Sequence, residues 1–519
     1  MEEEMYTSPS FSLEDILGKG YIESLAGANE ALGFMSADEA LNIAREKIDF
    51  YPAEKQKKND ELLGKVGTSV IPAFENDNDG AATAAFAKAL SKASAPVTGM
   101  GCFRVGEDGR LYLIGKSEHY HAPLGHRFDG YKLIDKARAL GVLNATHNNT
   151  RGYITRLCEK RLVQSVNGID WDDDAAAEKV ISSTEHKVLN RVINLETGSL
   201  SVEAGIKMML ARFYKLSPEF PEPKYFGKTP VFFVMQDNKG GREANYHGTT
   251  VVAQTFRGLW PEFAEKEEEA GIYKVVPVAI NDLDDFRAKI EEYNSGNYKT
   301  AGFLHEIILM NYGGIKLTEE FLQGAYDLCE QYDTPTLVDE IQSCMWYRGF
   351  FQFRLYGLKP DFVIIGKGFP GGEYPASKII ATAEYDTLNQ FGALVTNGQE
   401  ELASLAYLIT MSYMRAVGGE VEAIGERFEA GLKAIAAKHP KTIVKAEGMQ
   451  LLAALHFADA SRAADFAKDM KKHCIDASAQ TYKPNCPPAL LLKPPVISTE
   501  ATIDHILAVI EKIIVEKEA

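Results

Sequence analysis

The stretch Thr336-Leu337-Val338-Asp339-Glu340-Ile341-Gln342, followed by Lys359-Pro360-Asp361-Phe362-Val363-Ile364-Ile365-Gly366-Lys367-Gly368, decides how this chain is read. Each segment is a short apolar run that ends on a residue with chemistry, Asp339 in one and Lys367 in the other. Apolar runs without polar alternation suit strands buried on both faces of a mainly parallel sheet. The interval between the two is long enough for the crossover that parallel strands require. An acid and an amine would then emerge at the carboxyl edge of one sheet, where α/β proteins bind their ligands. The same two residues would serve equally well as a buried ion pair.

Similar runs lie on both sides: Val192-Ile193-Asn194-Leu195, Val231-Phe232-Phe233-Val234, Phe303 to Leu309, and Ile379-Ile380-Ala381. Between them fall helical patterns, one opening at Ser201 and running past Arg212, another from Thr318 to Gln331. This alternation predicts a large α/β domain over residues 141–400, a mainly parallel sheet covered by helices on both faces. The Asp-Gly turn in Glu107-Asp108-Gly109 predicts a hairpin over Phe103 to Ile114, within a first part of a smaller domain at 96–140. Residues 401–519 predict the rest of that α+β domain. They hold a long helix from Glu401 to Arg415, a strand at Leu451 to Leu455 and a closing amphipathic helix with Ile503, Ile506, Leu507, Ile510, Ile513 and Ile514 on one stripe.

Residues 1–95 read as a polar, helical extension without chemistry. Ser36-Ala37-Asp38-Glu39 is a capping box ahead of Leu41, Ile43, Ile48 and Phe50, and Ala81 to Ala93 is a second helix candidate. Packing on the body or on a partner subunit is the expected role.

At 519 residues the chain needs more than one core. Its net charge of −17 argues against nucleic acid or an anionic membrane as partner. The six cysteines form no C-x-x-C pair, which points to reduced thiols rather than a disulfide framework or a zinc site. The acidic start Met1-Glu2-Glu3-Glu4 matches neither a secretory signal nor a transit peptide, so a cytoplasmic location is expected. His119, His121 and His126 are read as loop histidines, and no metal site is expected.

Pyridoxal 5′-phosphate gives Asp339 and Lys367 a joint purpose. Its aldehyde is held by a lysine amine that also moves a proton at the substrate's α-carbon. Its ring nitrogen needs a carboxylate to stay protonated. Gln342 is within reach of the ring's phenolic oxygen. A phosphate cradle could form at Thr197-Gly198-Ser199, ahead of a helix, although Gly-Ser there would also be an ordinary cap. Tyr246, in Tyr246-His247-Gly248-Thr249, could stack on the ring or simply pack. Gly366-Lys367 is not a nucleotide-binding P-loop, because Asp361 and Gly368 stand where its first glycine and its Ser/Thr belong.

The ordered set Thr197-Gly198-Ser199, Tyr246-His247-Gly248, Glu306, Asp339-Glu340-Ile341-Gln342, Gly366-Lys367-Gly368 and Thr396 resembles the class III (ornithine/GABA/glutamate-semialdehyde type) aminotransferases, over roughly residues 96–519. The resemblance implies the fold type I architecture of pyridoxal-phosphate-dependent transferases. It implies Lys367 as the Schiff-base lysine and Asp339 as the partner of the ring nitrogen. Gly198, Ser199, Tyr246, His247, Glu306 and Gln342 would be cofactor contacts. Thr396 would reach the phosphate of the other subunit in a homodimer. An amino group would pass from an amine or amino acid to a keto acid. Decarboxylase, epimerase, lyase or aminomutase chemistry on the same fold stays open, as does a non-catalytic scaffold.

Three departures bear on the substrate. Ile307 follows Glu306 where proline is usual, Leu200 follows Gly198-Ser199 where an acid is common, and Lys493 precedes Pro494-Pro495 where many members have a carboxylate-binding arginine. No substrate residue can be named from the sequence.

Overall fold

The computed structural model describes residues 6–117, 122–144, 150–395, 398, 400–480 and 483–519. Strands β1 (Pro96–Met100), β2 (Phe103–Gly106) and β3 (Leu111–Leu113) form a small antiparallel sheet, with Phe103 opposite Leu113 as the Asp-Gly turn requires. The central sheet has seven strands: β4 (Leu189–Leu195), β5 (Thr229–Met235), β6 (Lys274–Val278), β7 (Tyr298–His305), β8 (Thr336–Asp339), β9 (Phe362–Ile365) and β10 (Ser377–Thr382). Their order is β4-β10-β9-β8-β7-β5-β6. Only β10 runs against the rest, antiparallel to β9 and to β4. Every residue of β5, β8, β9 and β10 is buried, which is why each strand has a short apolar run at its centre.

Helix α1 (Gly198–Leu210) follows β4 and lies on β9 and β10. At Gly205 a Cβ would come within 2.6 Å of Leu337 Cδ1, so the small residue sets the close approach of helix to sheet. Helix α2 (Glu319–Gln331) starts at the Thr318 cap and leads into β8. Helix α3 (Glu401–Lys438) opens the C-terminal region. There β11 (Lys445–Met449), β12 (Leu452–His456), β13 (Ser478–Ala479) and β14 (Ala489–Leu492) form an antiparallel sheet, and helix α4 (Glu500–Glu518) buries its isoleucine stripe. The β1–β3 sheet is tied to this region. Leu113 bridges Ile475, Lys116 bridges Lys493, and Arg104 Nη2 donates to Asp476 Oδ1 at 2.8 Å.

Several boundaries differ from the sequence reading. The helix after β4 opens at Gly198, not Ser201, so the glycine and Ser199 are its first residues. The apolar run from Phe303 to Leu309 is not one strand: β7 stops at His305, and Ile308–Leu309 pairs separately with Ile315–Lys316. The edge strand β6 was not expected, because Pro277 interrupts its apolar run. The helix from Glu401 continues to Lys438, since Gly418 and Gly419 do not stop a helix held between neighbours.

In the extension, the helix capped by Ser36 ends at Arg45. Ile48–Asp49 then turns into a two-stranded ribbon with Ser10–Phe11. A full capping box instead occurs at Ser12 and Asp15. The Ala-rich candidate shrinks to Ala84–Ala89. The extension packs on the body: Tyr6 Oη donates to the carbonyls of Val496 at 3.0 Å and Ser498 at 3.1 Å, and Tyr51 Oη donates to Ile497 O at 3.1 Å. Among the described residues no helix is long and apolar enough to cross a membrane.

Candidate active site

Strands β8 and β9 run parallel with Asp339 in register with Ile364. Asp339 therefore ends its strand beside Gly366-Lys367, and both face one cavity of about 160 Å³. Its lining gathers Gly198, Ser199, Tyr246, Glu306, Asp339, Gln342 and Lys367, together with Asn311 and Ile341. His247 does not line the cavity. It sits beneath Asp339, with Nδ1 3.1 Å from Oδ2 and Nε2 buried without a hydrogen-bond partner. Thr396, His119 and His121 lie outside the described residues.

Each group is fixed by the end of an element. Asp339 Oδ1 accepts from the Ile341 N–H at 3.1 Å, so both carboxylate oxygens are tethered and aimed. Lys367 has φ +48°, a left-handed conformation that non-glycine residues seldom adopt, and it stands two residues past the end of β9. The strain turns the chain sharply at the residue whose amine must enter the cavity.

At the opposite end, Gly198 and Ser199 start α1, where backbone N–H groups lack partners within the helix. A Cβ on Gly198 would sit 2.3 Å from Ile341 Cδ1, and one on Gly248 would sit 2.7 Å from Ser199 Cα. Thr249 N–H donates to Ser199 Oγ at 3.0 Å, which stitches the Tyr246 loop to the helix start. Behind Tyr246 the Arg257 guanidinium lies 4.9 Å from the ring centroid.

Glu306 is only 2% exposed, and its Oε2 has no hydrogen-bond partner. Burial, then the negative charge of Asp339, holds its carboxyl well above the usual glutamate range, against the pull of Lys483, Lys367 and Lys493. Asn311 Nδ2 is also buried and unpartnered. Beneath Gln342, Glu340 takes 2.6 Å bonds from Ser343 Oγ and Phe353 N–H, and burial pushes its carboxyl up to about 7. This braces the loop that presents Gln342.

Behind the lining, a supporting wall comes from the C-terminal region and reaches the cavity through Asn311 and Gln342. Lys483 donates to the carbonyls of Asn311 at 2.6 Å and Glu243 at 3.0 Å, and burial lowers its pKa to about 8. Lys493, read from sequence as a poor stand-in for arginine, is turned onto Gln342 instead, donating to its backbone oxygen at 2.7 Å. Neither position was legible as a wall of this cavity, because nothing local in Tyr482-Lys483-Pro484 or Leu492-Lys493-Pro494 marks a side chain that will be buried against a distant loop.

The cavity suits pyridoxal phosphate on its own features. A tethered carboxylate and an amine lie at the sheet end, a cradle that a Cβ would fill lies at the helix end, and buried polar atoms without partners lie between them.

The comparisons with known proteins agree. The sequence profile described as "Aminotransferase class-III" matches residues 101–514. An acetylornithine aminotransferase of Aquifex aeolicus is 25% identical over 429 residues, covering 80% of this chain and 96% of that protein. Among solved structures, a transaminase from the marine bacterium Virgibacillus superposes with a TM-score of 0.65 at 17% identity, covering 88% of this chain and 98% of that one. A phospholyase from Arthrobacter in complex with phosphoethanolamine superposes with a TM-score of 0.62 at 19% identity, covering 81% and 94%. With the strand order, the cavity and the profile pointing the same way, the chain belongs to the class III aminotransferases, enzymes that move amino groups with pyridoxal phosphate.

Proposed function

We propose that this aminotransferase anchors its cofactor as a Schiff base on Lys367 and uses the same amine as its proton carrier. The observation that carries this reading is the single cavity in which Lys367, Asp339, Gln342, Tyr246 and the Gly198-Ser199 cradle converge. Bound there, pyridoxal phosphate supplies an aldehyde for the incoming amine and a ring that withdraws electrons from the substrate's α-carbon.

The chain's own groups do the rest. Asp339, tethered at both oxygens, holds a proton at the ring nitrogen. Gly198 and Ser199 at the start of α1 receive the phosphate, where unpaired N–H groups and the helix dipole favour an anion. Tyr246 covers one ring face. Gln342 presents its amide to the phenolic oxygen, and Glu306 closes the cavity behind the ring. Lys367 Nζ would hold the cofactor's aldehyde and, once freed, would serve as the base that carries the proton of the substrate's α-carbon.

The family resemblance supports a homodimer in which Thr396 reaches the partner's phosphate. The six buried thiols suit a reducing cytoplasm.

The test is a half-reaction. Cofactor-loaded protein is mixed with a panel of amines and amino acids, and its visible absorbance is followed. Loss of absorbance, with recovery on adding a keto acid, is expected for at least one donor. The fold is shared with a phospholyase, so product release with no change in the bound cofactor would replace transamination by elimination.

A further inference from the structure

We infer that Lys493 is a positioning residue that sets which way the amide of Gln342 faces, and through it the hydrogen bond offered to the cofactor's phenolic oxygen. The inference rests on the cofactor reading above. A lysine ammonium only donates. Lys493 Nζ lies 2.7 Å from Gln342 O and 3.3 Å from Gln342 Oε1, so both oxygens of one residue are drawn to the same cation. With Oε1 claimed, the two N–H groups of Gln342 must face away from Lys493. Gln342 also lines the cavity that holds Asp339 and Lys367. An amide left to itself could present either end to that cavity; with Oε1 drawn to Lys493, the N–H end is the one left to offer.

Lys493 is itself fixed. It is 1% exposed, and its ammonium lies 4.5 Å from the centroid of the Trp346 ring. Its backbone is held on both sides, donating to Gly115 O at 2.7 Å and accepting from Ser117 N–H at 2.8 Å. Pro494-Pro495 stiffens the chain that follows, and the Val496 N–H donates to Pro123 O at 2.9 Å. The carbonyls of Val496 and Ser498 are in turn hooked by Tyr6. The ammonium is thus on a rigid mount rather than a swinging arm.

A direct grip on substrate fits the geometry less well. The space enclosed by Lys493, Trp346, Ile341 and Lys367 is about 10 Å³, room for one water and not for a carboxylate. The role left for the cation is to act through Gln342.

The test is a two-residue cycle read on cofactor-loaded protein at fixed pH: Lys493→Met, Gln342→Met and both together. Two quantities are measured, the dissociation constant for pyridoxal phosphate and the ratio of its absorbance bands. A wild type that binds no cofactor would sink the cofactor reading itself, before the cycle is run. Given a coloured wild type, Lys493→Met is expected to weaken cofactor binding about tenfold, the worth of one charge-assisted hydrogen bond, and to change the band ratio. In the Gln342→Met background the Lys493 change should then have little further effect.

Gln342→Glu reads the same contact if Lys493→Met does not fold. It keeps Lys493 paired but has no N–H to offer, so it should alter the band ratio without loss of cofactor-free stability. The inference is overturned if Lys493→Met keeps the wild-type constant and band ratio, or if its effect is undiminished in the double variant. It is equally overturned if Lys493→Met only raises KM for carboxylate substrates.

Discussion

Two walls meet at one cavity, one lining it and the other standing behind that lining. The sheet-end wall, with Gly198, Ser199, Asp339 and Lys367, is made of residues that end or begin a regular element, each placed by the few residues before it. The C-terminal wall has Lys483 from a loop and Lys493 just after β14, and both side chains are held by hydrogen bonds to backbone far away in the chain. The first wall holds the residues proposed above to carry the chemistry. The second includes Lys493, where this chain departs from the family pattern, and it bonds to the lining at Asn311 and Gln342.

The largest expected effect breaks the first wall. Lys367→Ala should remove the visible absorbance of the loaded protein and cut turnover by about 10²–10⁴-fold, the contribution of a placed proton carrier. Retained colour and turnover would mean that the sheet end does not carry the chemistry. The next effect is steric. Gly198→Val pushes a side chain into Ile341, whose Cδ1 lies 2.3 Å from the would-be Cβ. Cofactor binding should weaken about 10–100-fold, as one or two charge-assisted hydrogen bonds are lost, and Ile341→Ala in the same chain should recover part of it. No recovery would show that the cradle is not shaped by that contact.

Glu306 sits between the walls and sharpens the contrast through pH. Its carboxyl is held above the ordinary range by burial and by Asp339, so the folded protein keeps a proton that the unfolded chain loses. The stability tied to this group is full below the ordinary glutamate range and is lost as pH rises. Glu306→Gln cannot ionise. Without cofactor it should match the wild type in acid and exceed it by at least about 1 kcal/mol near neutral pH, as read by urea unfolding. A constant difference at all pH values would show that Glu306 stays ionised. The smallest effect lies behind the second wall. Tyr6→Phe loses two buried bonds to carbonyls and should lower stability by about 1 kcal/mol, leaving the absorbance of the loaded protein unchanged.

This contrast also explains what the sequence disclosed. Asp339 and Lys367 were legible because a buried parallel strand leaves an unmistakable apolar run, and its last residue must face the crevice. The central strands were found for the same reason, except β6, whose run is interrupted by Pro277. The break at Glu306 was missed because Ile307, Ile308 and Leu309 continue the apolar run after β7 has ended, and only the pairing with Ile315–Lys316 reveals the turn. The start of α1 was read three residues late because Gly198 does not look like a helix opener, although its lack of a side chain is what lets Ile341 close over it. The placement of Lys493 could not be read at all: it depends on Gly115, Ser117 and Gln342, which only the folded chain brings together.

The tyrosine hooks of residues 6–63 have a practical consequence for anyone trimming this enzyme to the length of its relatives. Cutting back to residue 101 would strip the buried Tyr6 and Tyr51 from the Val496–Ser498 segment and the buried Phe50 from Phe128, and lay bare an apolar seam on the back of the Lys493 mount. The shortened protein would keep every cofactor-contacting residue named above and still be prone to clump, because what was removed was its raincoat rather than its engine.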